Sequence, residues 1–194
     1  MGYRRARFGL AGALCLLASL ISSAARAEQP GRSGLAVGFG LGGGSVSWSW
    51  PDDDDRRAEQ SGAGSARVAW ALNQDLLVGV EAWAWAKDNE PWSVTVWSAT
   101  GAVTYFPGGT GFFLRGGLGV GSGRAELEPS PSFNVSATES ATGVSVLGAT
   151  GYDAGITSHM SLGGAMHVVY IGIEAPPFDD VFGYGLTVQL NWYW

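Results

Sequence analysis

Cysteine is almost missing from this chain of 194 residues; Cys15 is the only one. It lies within an apolar run with Leu14 before it, a context unlike that of a lipid-attached cysteine. A disulfide-stapled scaffold and a cysteine-based metal site are therefore excluded. Basic residues are also scarce, 11 against 17 acidic ones. Long hydrophobic runs are absent beyond the first 27 residues, because clusters such as Asn73-Gln74-Asp75 and Lys87 to Glu90 interrupt every candidate well short of the roughly 20 residues a membrane helix needs. If the chain enters a membrane, it must do so as strands.

The start of the chain has its own logic. Arg4, Arg5 and Arg7 precede a 14-residue apolar run from Phe8 to Ile21, and Ala25-Arg26-Ala27 places small residues where a signal peptidase needs them. Residues 1–27 thus read as a cleaved secretory signal, with Ala25 and Ala27 marking the cleavage site, followed by a short segment 28–33 and a domain from 34 to 194. Setting aside Arg4, Arg5, Arg7 and Arg26 leaves 7 of the 11 basic side chains against all 17 acidic ones, a formal net charge of −10 in place of −6. Such a balance argues against nucleic acid as a partner.

What is present is alternation. Apolar residues recur at every second position in eight segments, near 34–50, 65–73, 76–86, 92–106, 111–124, 141–154, 160–171 and 183–194. Short connections at Asn73 to Asp75, Pro107 to Thr110 and around Gly155 to His159 alternate with longer ones at Pro51 to Gly64, Lys87 to Pro91, Ala125 to Ser140 and Gly172 to Phe182. Short turns at one end and long loops at the other are the pattern of a transmembrane barrel, in which closure leaves no backbone group unpaired in hydrocarbon. The expected fold is therefore all-β, an eight-stranded antiparallel up-and-down transmembrane β-barrel. A soluble sandwich is the competing architecture.

Cross-strand pairing tests the registers. A turn centred on Gln74 matches Leu72 with Leu76, Trp70 with Val78 and Val68 with Val80; a turn centred on the Gly108–Gly109 bond matches Tyr105 with Phe112, Val103 with Leu114, Ala99 with Leu118 and Trp97 with Val120. In the first strand the apolar parity switches from Leu35, Val37, Phe39 and Leu41 to Val46, Trp48 and Trp50, which predicts a bulge at Gly42 to Gly44. Trp48, Trp50 and Trp92 would form an aromatic girdle at the loop end, and Trp70, Tyr105, Trp192 and Trp194 one at the turn end. The last strand would face lipid with Tyr184, Leu186, Val188, Leu190, Trp192 and Trp194, and the lumen with Thr187, Gln189, Asn191 and Tyr193.

With its export signal, the segments NQDLLVGVEAW (Asn73 to Trp83), YFPGGTGFFLRGGLGVGSG (Tyr105 to Gly123) and GATGYDAG (Gly148 to Gly155), and an aromatic last strand, the mature chain resembles the small eight-stranded outer-membrane barrels of Gram-negative bacteria, the OmpA-like and opacity-protein-like barrels. The resemblance implies the cell outer membrane, with lipid and lipopolysaccharide around the barrel and insertion by the barrel-assembly machinery. It also implies that the last strand, from Tyr184 to Trp194, is the assembly signal. That family most often ends in Phe; Trp194 keeps the aromatic character. Its members differ in function.

Few residues suggest chemistry. Arg67 and Glu81, each seven residues from Gln74, should be cross-strand partners in the lumen, with Arg115 at a similar depth, roughly 15–20 Å above the turns. They form either a fixed ion-pair plug, the preferred reading, or a gate in which Glu81 alternates between the two arginines. His167, Gln189 and Asn191 are expected as further polar lumen residues. His159 and Ser161 form a His-x-Ser pair resembling that of outer-membrane lipid A deacylases, but at a short turn, the wrong end for that substrate. The acidic loops include Asp52, Asp53, Asp54 and Asp55, weak candidates for Ca²⁺ or Mg²⁺ that lack the spaced ligands and glycine of a calcium loop and read better as a solvated tip. Gly38, Gly40 and Gly43 spell G-x-G-x-x-G, but no βαβ context surrounds them. No cofactor is expected and no enzyme. The expected role is structural or surface-interacting, for a monomeric barrel whose lumen is plugged; the alternatives are a narrow pore for small or apolar solutes and a lipid A-modifying enzyme. A soluble lipid-binding barrel lacks the expected Gly-x-Trp at its first strand.

Overall fold

The structure, a computed structural model, describes residues 31–50, 53–89, 92–127, 137–175 and 178–194. It contains eight strands: β1 (Gly34–Trp50), β2 (Asp53–Ala71), β3 (Leu76–Asn89), β4 (Trp92–Tyr105), β5 (Phe112–Leu127), β6 (Ala137–Thr157), β7 (Met160–Ala175) and β8 (Phe178–Tyr193). Each pairs antiparallel with the next, and β8 returns to β1 to close the barrel. One row of partners runs Gly38, Arg67, Glu81, Thr100, Gly119, Ser145, Ile171, Val181 and reaches β1 again at Trp48, ten residues beyond its start. At ~3.3 Å per residue and ~4.8 Å between strands, that stagger sets a tilt of about 40°.

The outer surface is apolar. Leu41, Val80, Leu118, Val144, Leu186 and Val188 are exposed on five different strands, and Trp70, Trp92, Tyr105 and Trp194 lie exposed towards the strand ends. Soluble proteins do not leave such a continuous surface uncovered, whereas hydrocarbon favours it. The soluble sandwich is thereby excluded.

The first hairpin has the expected register, with Trp70 opposite Val78 and Val68 opposite Val80. Asn73 shapes its turn by accepting the Asp75 backbone N–H at 2.9 Å. The second hairpin differs from expectation by two residues: Tyr105 is opposite Leu114, Val103 opposite Gly116, Ala99 opposite Val120 and Trp97 opposite Ser122. Here Pro107–Gly109 forms a 3₁₀ turn with Gly108 and Gly109 both at positive φ, and the Phe106 N–H donates back to the Asp75 carbonyl, so Phe106 extends the pairing with β3. Because the shift is even, no side chain changes face.

The predicted bulge at Gly42 to Gly44 is absent. β1 pairs without interruption from Gly34 to Trp48 on β2, its even positions facing inward throughout, so Val46 and Trp48 are buried in the lumen and Trp48 is no part of a lipid girdle. Trp48 instead meets Trp85 edge-on at 6.5 Å. The parity rule fails there because the upper lumen is itself apolar. The Trp50 side chain lies outside the described residues.

Several long loops also prove shorter than expected, since β2 begins at Asp53 and β6 extends over 21 residues. Ladder hydrogen bonds require no apolar side chains, so pairing continues above the apolar band with polar ones.

Candidate functional site

The inside of the barrel is built in layers, legible strand by strand. Along β3 the inward positions read Leu77, Glu81, Trp83, Trp85; along β7, Ala165, His167, Val169, Ile171; along β2, Ala69, Arg67, Ala63. On β2 and β3 the order is apolar near the turn end, then charged or polar, then apolar again, and on β7 it is the same above the buried Ser161. The turn-side cluster includes Leu77, Phe106, Phe113 and Tyr193, and the loop-side cluster includes Trp48, Trp83, Trp85, Leu147 and Ile171. Between them lie Arg67, Glu81, Arg115, His167, Gln189 and Asn191, all six buried.

The polar layer divides into two groups. In the first, Arg115 Nη1 donates to Glu81 Oε2 at 2.6 Å and its Nε to Thr104 Oγ1 at 2.9 Å, with the guanidinium 4.8 Å from the Phe113 ring centroid. His167 Nδ1 lies 3.6 Å from Glu81 Oε1, on the other side of the carboxylate. The His167 Nε2 lies 3.1 Å from Gln189 Nε2 and 3.0 Å from Thr187 Oγ1.

In the second group Arg67 Nη2 donates to Asn191 Oδ1 at 2.8 Å and lies 3.5 Å from Asp153 Oδ2. The Asn191 amide donates to Asp153 Oδ1 at 3.1 Å and to Ser161 Oγ at 3.3 Å, and the Tyr193 hydroxyl donates to Asp153 Oδ2 at 3.3 Å. Arg67 and Glu81 are backbone partners, as the turn geometry predicts, but their closest ion pairs are with Asp153 and Arg115 respectively. Side-chain partners are chosen across the lumen, which strand register alone does not reveal. Asp153 was missed for the same reason: its inward parity was available within GATGYDAG, but its partners are on β2 and β8.

This second group spans the joint where the barrel closes. Arg67 on β2 reaches Asn191 on β8 over Gly38 of β1, where a Cβ would stand 2.2 Å from Asn191 Oδ1 and 2.9 Å from Arg67 Nε. Only a glycine leaves that passage open.

At the turn end, Arg32 is buried just before β1, its guanidinium 3.6 Å from the Phe106 ring centroid. It donates to the carbonyls of Gly109 at 3.3 Å and Thr110 at 2.8 Å, with a longer contact to Gln74 at 3.5 Å. The Gly31 N–H donates to the Ser158 carbonyl at 3.1 Å. Residues 31 and 32 thereby tie together all three short turns across the mouth.

His159 and Ser161 are engaged separately: His159 Nδ1 lies 3.2 Å from the Tyr193 carbonyl, while Ser161 is fully buried beneath Asn191. Among the described residues no group of His, Cys, Asp and Glu has the arrangement of a metal site. The side chains of Asp52 to Asp55, together with Ala25, Ala27 and the rest of the export segment, lie outside the described residues. In β8, Tyr184, Leu186 and Val188 are exposed on the outer face, as is Trp194 just beyond it, and Leu190 and Trp192 are half-buried there.

A closed, antiparallel up-and-down barrel of eight strands, apolar outside and filled inside, is the architecture of the small outer-membrane β-barrel proteins, and this chain has that fold. It is similar to Ail, the attachment invasion locus protein of Yersinia pestis, solved in complex with the heparin analogue sucrose octasulfate, with a TM-score of 0.60 at 14% identity over 82% of this chain and 99% of that one. Neisserial surface protein A is similar at a TM-score of 0.57 and 16% identity, over 84% and 99% of the two chains. The N-terminal β-barrel domain of Pseudomonas aeruginosa OprF follows at 0.50 and 11%, over 82% and 98%. No protein-family model and no curated protein matches the sequence.

Proposed function

We propose that this protein is an exported outer-membrane barrel with a lumen closed by its own side chains, acting as a wall element and through its loop-side surface. The layered interior carries this reading. Ions crossing the barrel would meet Trp48, Trp83, Trp85 and Ile171 at the loop end, the Arg67, Glu81 and Arg115 ion pairs midway, and Phe106, Phe113 and Arg32 at the turn end. A dry apolar layer imposes a large desolvation cost on an ion. Movement of Glu81 alone would leave both apolar layers in place, so the fixed plug is favoured over a single-residue gate.

The surroundings follow from this reading: lipid and lipopolysaccharide against the apolar wall, and the barrel-assembly machinery at β8. Removal of residues 1–27 after export belongs to the same proposal. In the sequence the long connections carry Asp52 to Asp55, Asp88, Glu90, Glu126, Glu128 and Glu139. Their charge would repel a sulfated polyanion of the kind bound to Ail, so that ligand is not carried over.

Refolded barrel in a planar lipid bilayer is expected to give no unitary conductance, for wild type and Glu81→Ala alike. Reproducible channels in the wild type would overturn the closed-lumen reading in favour of a narrow pore. Fractionation with heat-modifiable gel mobility tests location separately, and a soluble periplasmic product would defeat it.

A further inference from the structure

Seven of the eight strand pairs join strands that follow one another in the chain, so that a connection helps to set each register. The eighth, β1 with β8, brings together the two ends of the barrel and has no connection between them. Its register is an open choice, made when the barrel closes. The pattern of side chains does not make that choice. On β1 the even positions Gly38, Gly40, Gly42 and Gly44 are all glycine and the odd positions Leu35, Val37, Phe39 and Leu41 are all apolar, so the strand repeats itself every two residues. Leu41 is opposite Val188 on the outer face, and sliding β8 by two residues either way would put Leu190 or Leu186 there, with the same character. Barrel geometry does not make the choice either. The observed stagger of ten residues sets a tilt of about 40°, and staggers of eight or twelve would set roughly 35° or 45°, both within the ordinary range.

What distinguishes the registers is polar. Gly38 is the partner of Arg67 on β2 and of Asn191 on β8, and the Arg67 guanidinium passes over it to donate to Asn191 Oδ1 at 2.8 Å. The Asn191 amide donates onward to Asp153 Oδ1 at 3.1 Å and to Ser161 Oγ at 3.3 Å, and Arg67 Nη2 lies 3.5 Å from Asp153 Oδ2. Arg67, Asp153, Ser161 and Asn191 are all buried. A slip of two residues would carry β8 along β1 by about 6–7 Å, more than a hydrogen bond spans. It would part Arg67 from both Asn191 and Asp153 and leave two separated charges in a closed interior, which is strongly destabilising. Apolar contacts elsewhere in the lumen are not directional and tolerate such a displacement better.

We propose that the cluster of Arg67, Asn191 and Asp153 is a register pin for barrel closure: it admits the stagger of ten residues and rejects the neighbouring staggers of eight and twelve. Asn191 is the positioning residue, because it stands on the closing strand and bonds to both charged partners. Gly38 is part of the device, since the Arg67 side chain must cross β1 to reach β8. Buried polar groups serve this purpose in coiled coils, where one asparagine fixes register at some cost in stability. The pin does not depend on whether the lumen conducts, so the two ideas can fail independently.

The test reads the closing register of the refolded full barrel by cysteine cross-linking, in a background lacking Cys15, the one native cysteine. Leu41→Cys is combined in turn with Val188→Cys, Leu190→Cys and Leu186→Cys, its direct partners at staggers of ten, twelve and eight. Diagonal neighbours stand about 7–8 Å apart, too far for a disulfide, so each pair reports one register. With the native cluster only the Val188→Cys pair should oxidise. Arg67→Met, Asp153→Leu and Asn191→Leu together exchange the cluster for apolar side chains, a kind of change that folded proteins often tolerate. In that variant at least about a tenth of the molecules should cross-link through Leu190→Cys or Leu186→Cys. Asn191→Leu alone provides a second arm, with a smaller slipped fraction. Slipped cross-links with the native cluster, or the native register alone in both variants, would overturn the proposal. Failure of both variants to fold would overturn it too, since the cluster would then be needed for closure itself and not for its register.

Discussion

Glu81 shows how much one buried carboxylate can carry. It is 2% exposed and sits between Arg115 and His167. Replacing it with alanine leaves the Arg115 guanidinium with Thr104 as its remaining hydrogen-bond partner in a buried setting. The cost of stranding such a charge is about 3–5 kcal/mol. Unfolding of Glu81→Ala by urea in lipid vesicles, followed by gel mobility, should show a loss of that order, and Glu81→Gln a smaller one because a side-chain acceptor remains. Glycines offer a matched pair of tests. Gly38→Ala would drive a methyl group into Asn191 and Arg67 and should destabilise by roughly 1–3 kcal/mol, as overpacking does, whereas Gly116→Ala meets nothing within 4 Å and should be close to neutral.

At the scale of the element, β8 shows what a strand reveals of itself. Its outward residues from Tyr184 to Trp194 and inward residues Thr187, Gln189, Asn191 and Tyr193 were assigned by alternation alone, and the burial pattern agrees. Leu186→Arg should cost about 2–4 kcal/mol if it sits near the bilayer midplane, and Trp92→Arg only about 0–1 kcal/mol at the rim; equilibrium unfolding in vesicles measures both. Trp194→Asp should lower the heat-modifiable fraction in cells more than any single loop substitution. Insertion at the wild-type level would leave β8 with no signalling role. β1 shows the limit of alternation. Val46 and Trp48 are as apolar as Phe39 and Leu41, yet the first pair faces the lumen and the second faces outward, so hydropathy does not identify the face once both sides of the wall are apolar.

For the whole molecule, closure decides the stability. Arg67, Asn191, Asp153 and Tyr193 connect β2, β8 and β6 across the joint, while Arg32 ties the turns beneath it. Arg32→Ala should therefore make the N-terminal segment cleavable by protease in the folded barrel, under conditions in which Arg32→Lys, which keeps a charge and donors, is cut more slowly. Equal cleavage of wild type and Arg32→Ala would show that the strap holds without the guanidinium.

Strand number, antiparallel order, hairpin faces and the inward placement of Arg67, Glu81, Arg115, His167, Gln189 and Asn191 follow from the sequence by itself, because a period of two is a local property and a turn carries it faithfully from one strand to the next. The two-residue offset at Pro107–Gly109, the apolar layer around Trp48 and the pairing of Arg67 with Asp153 were decided only by the tertiary structure. Each depends on how far the closed sheet is sheared, and that stagger brings together residues distant in the chain that no local pattern connects.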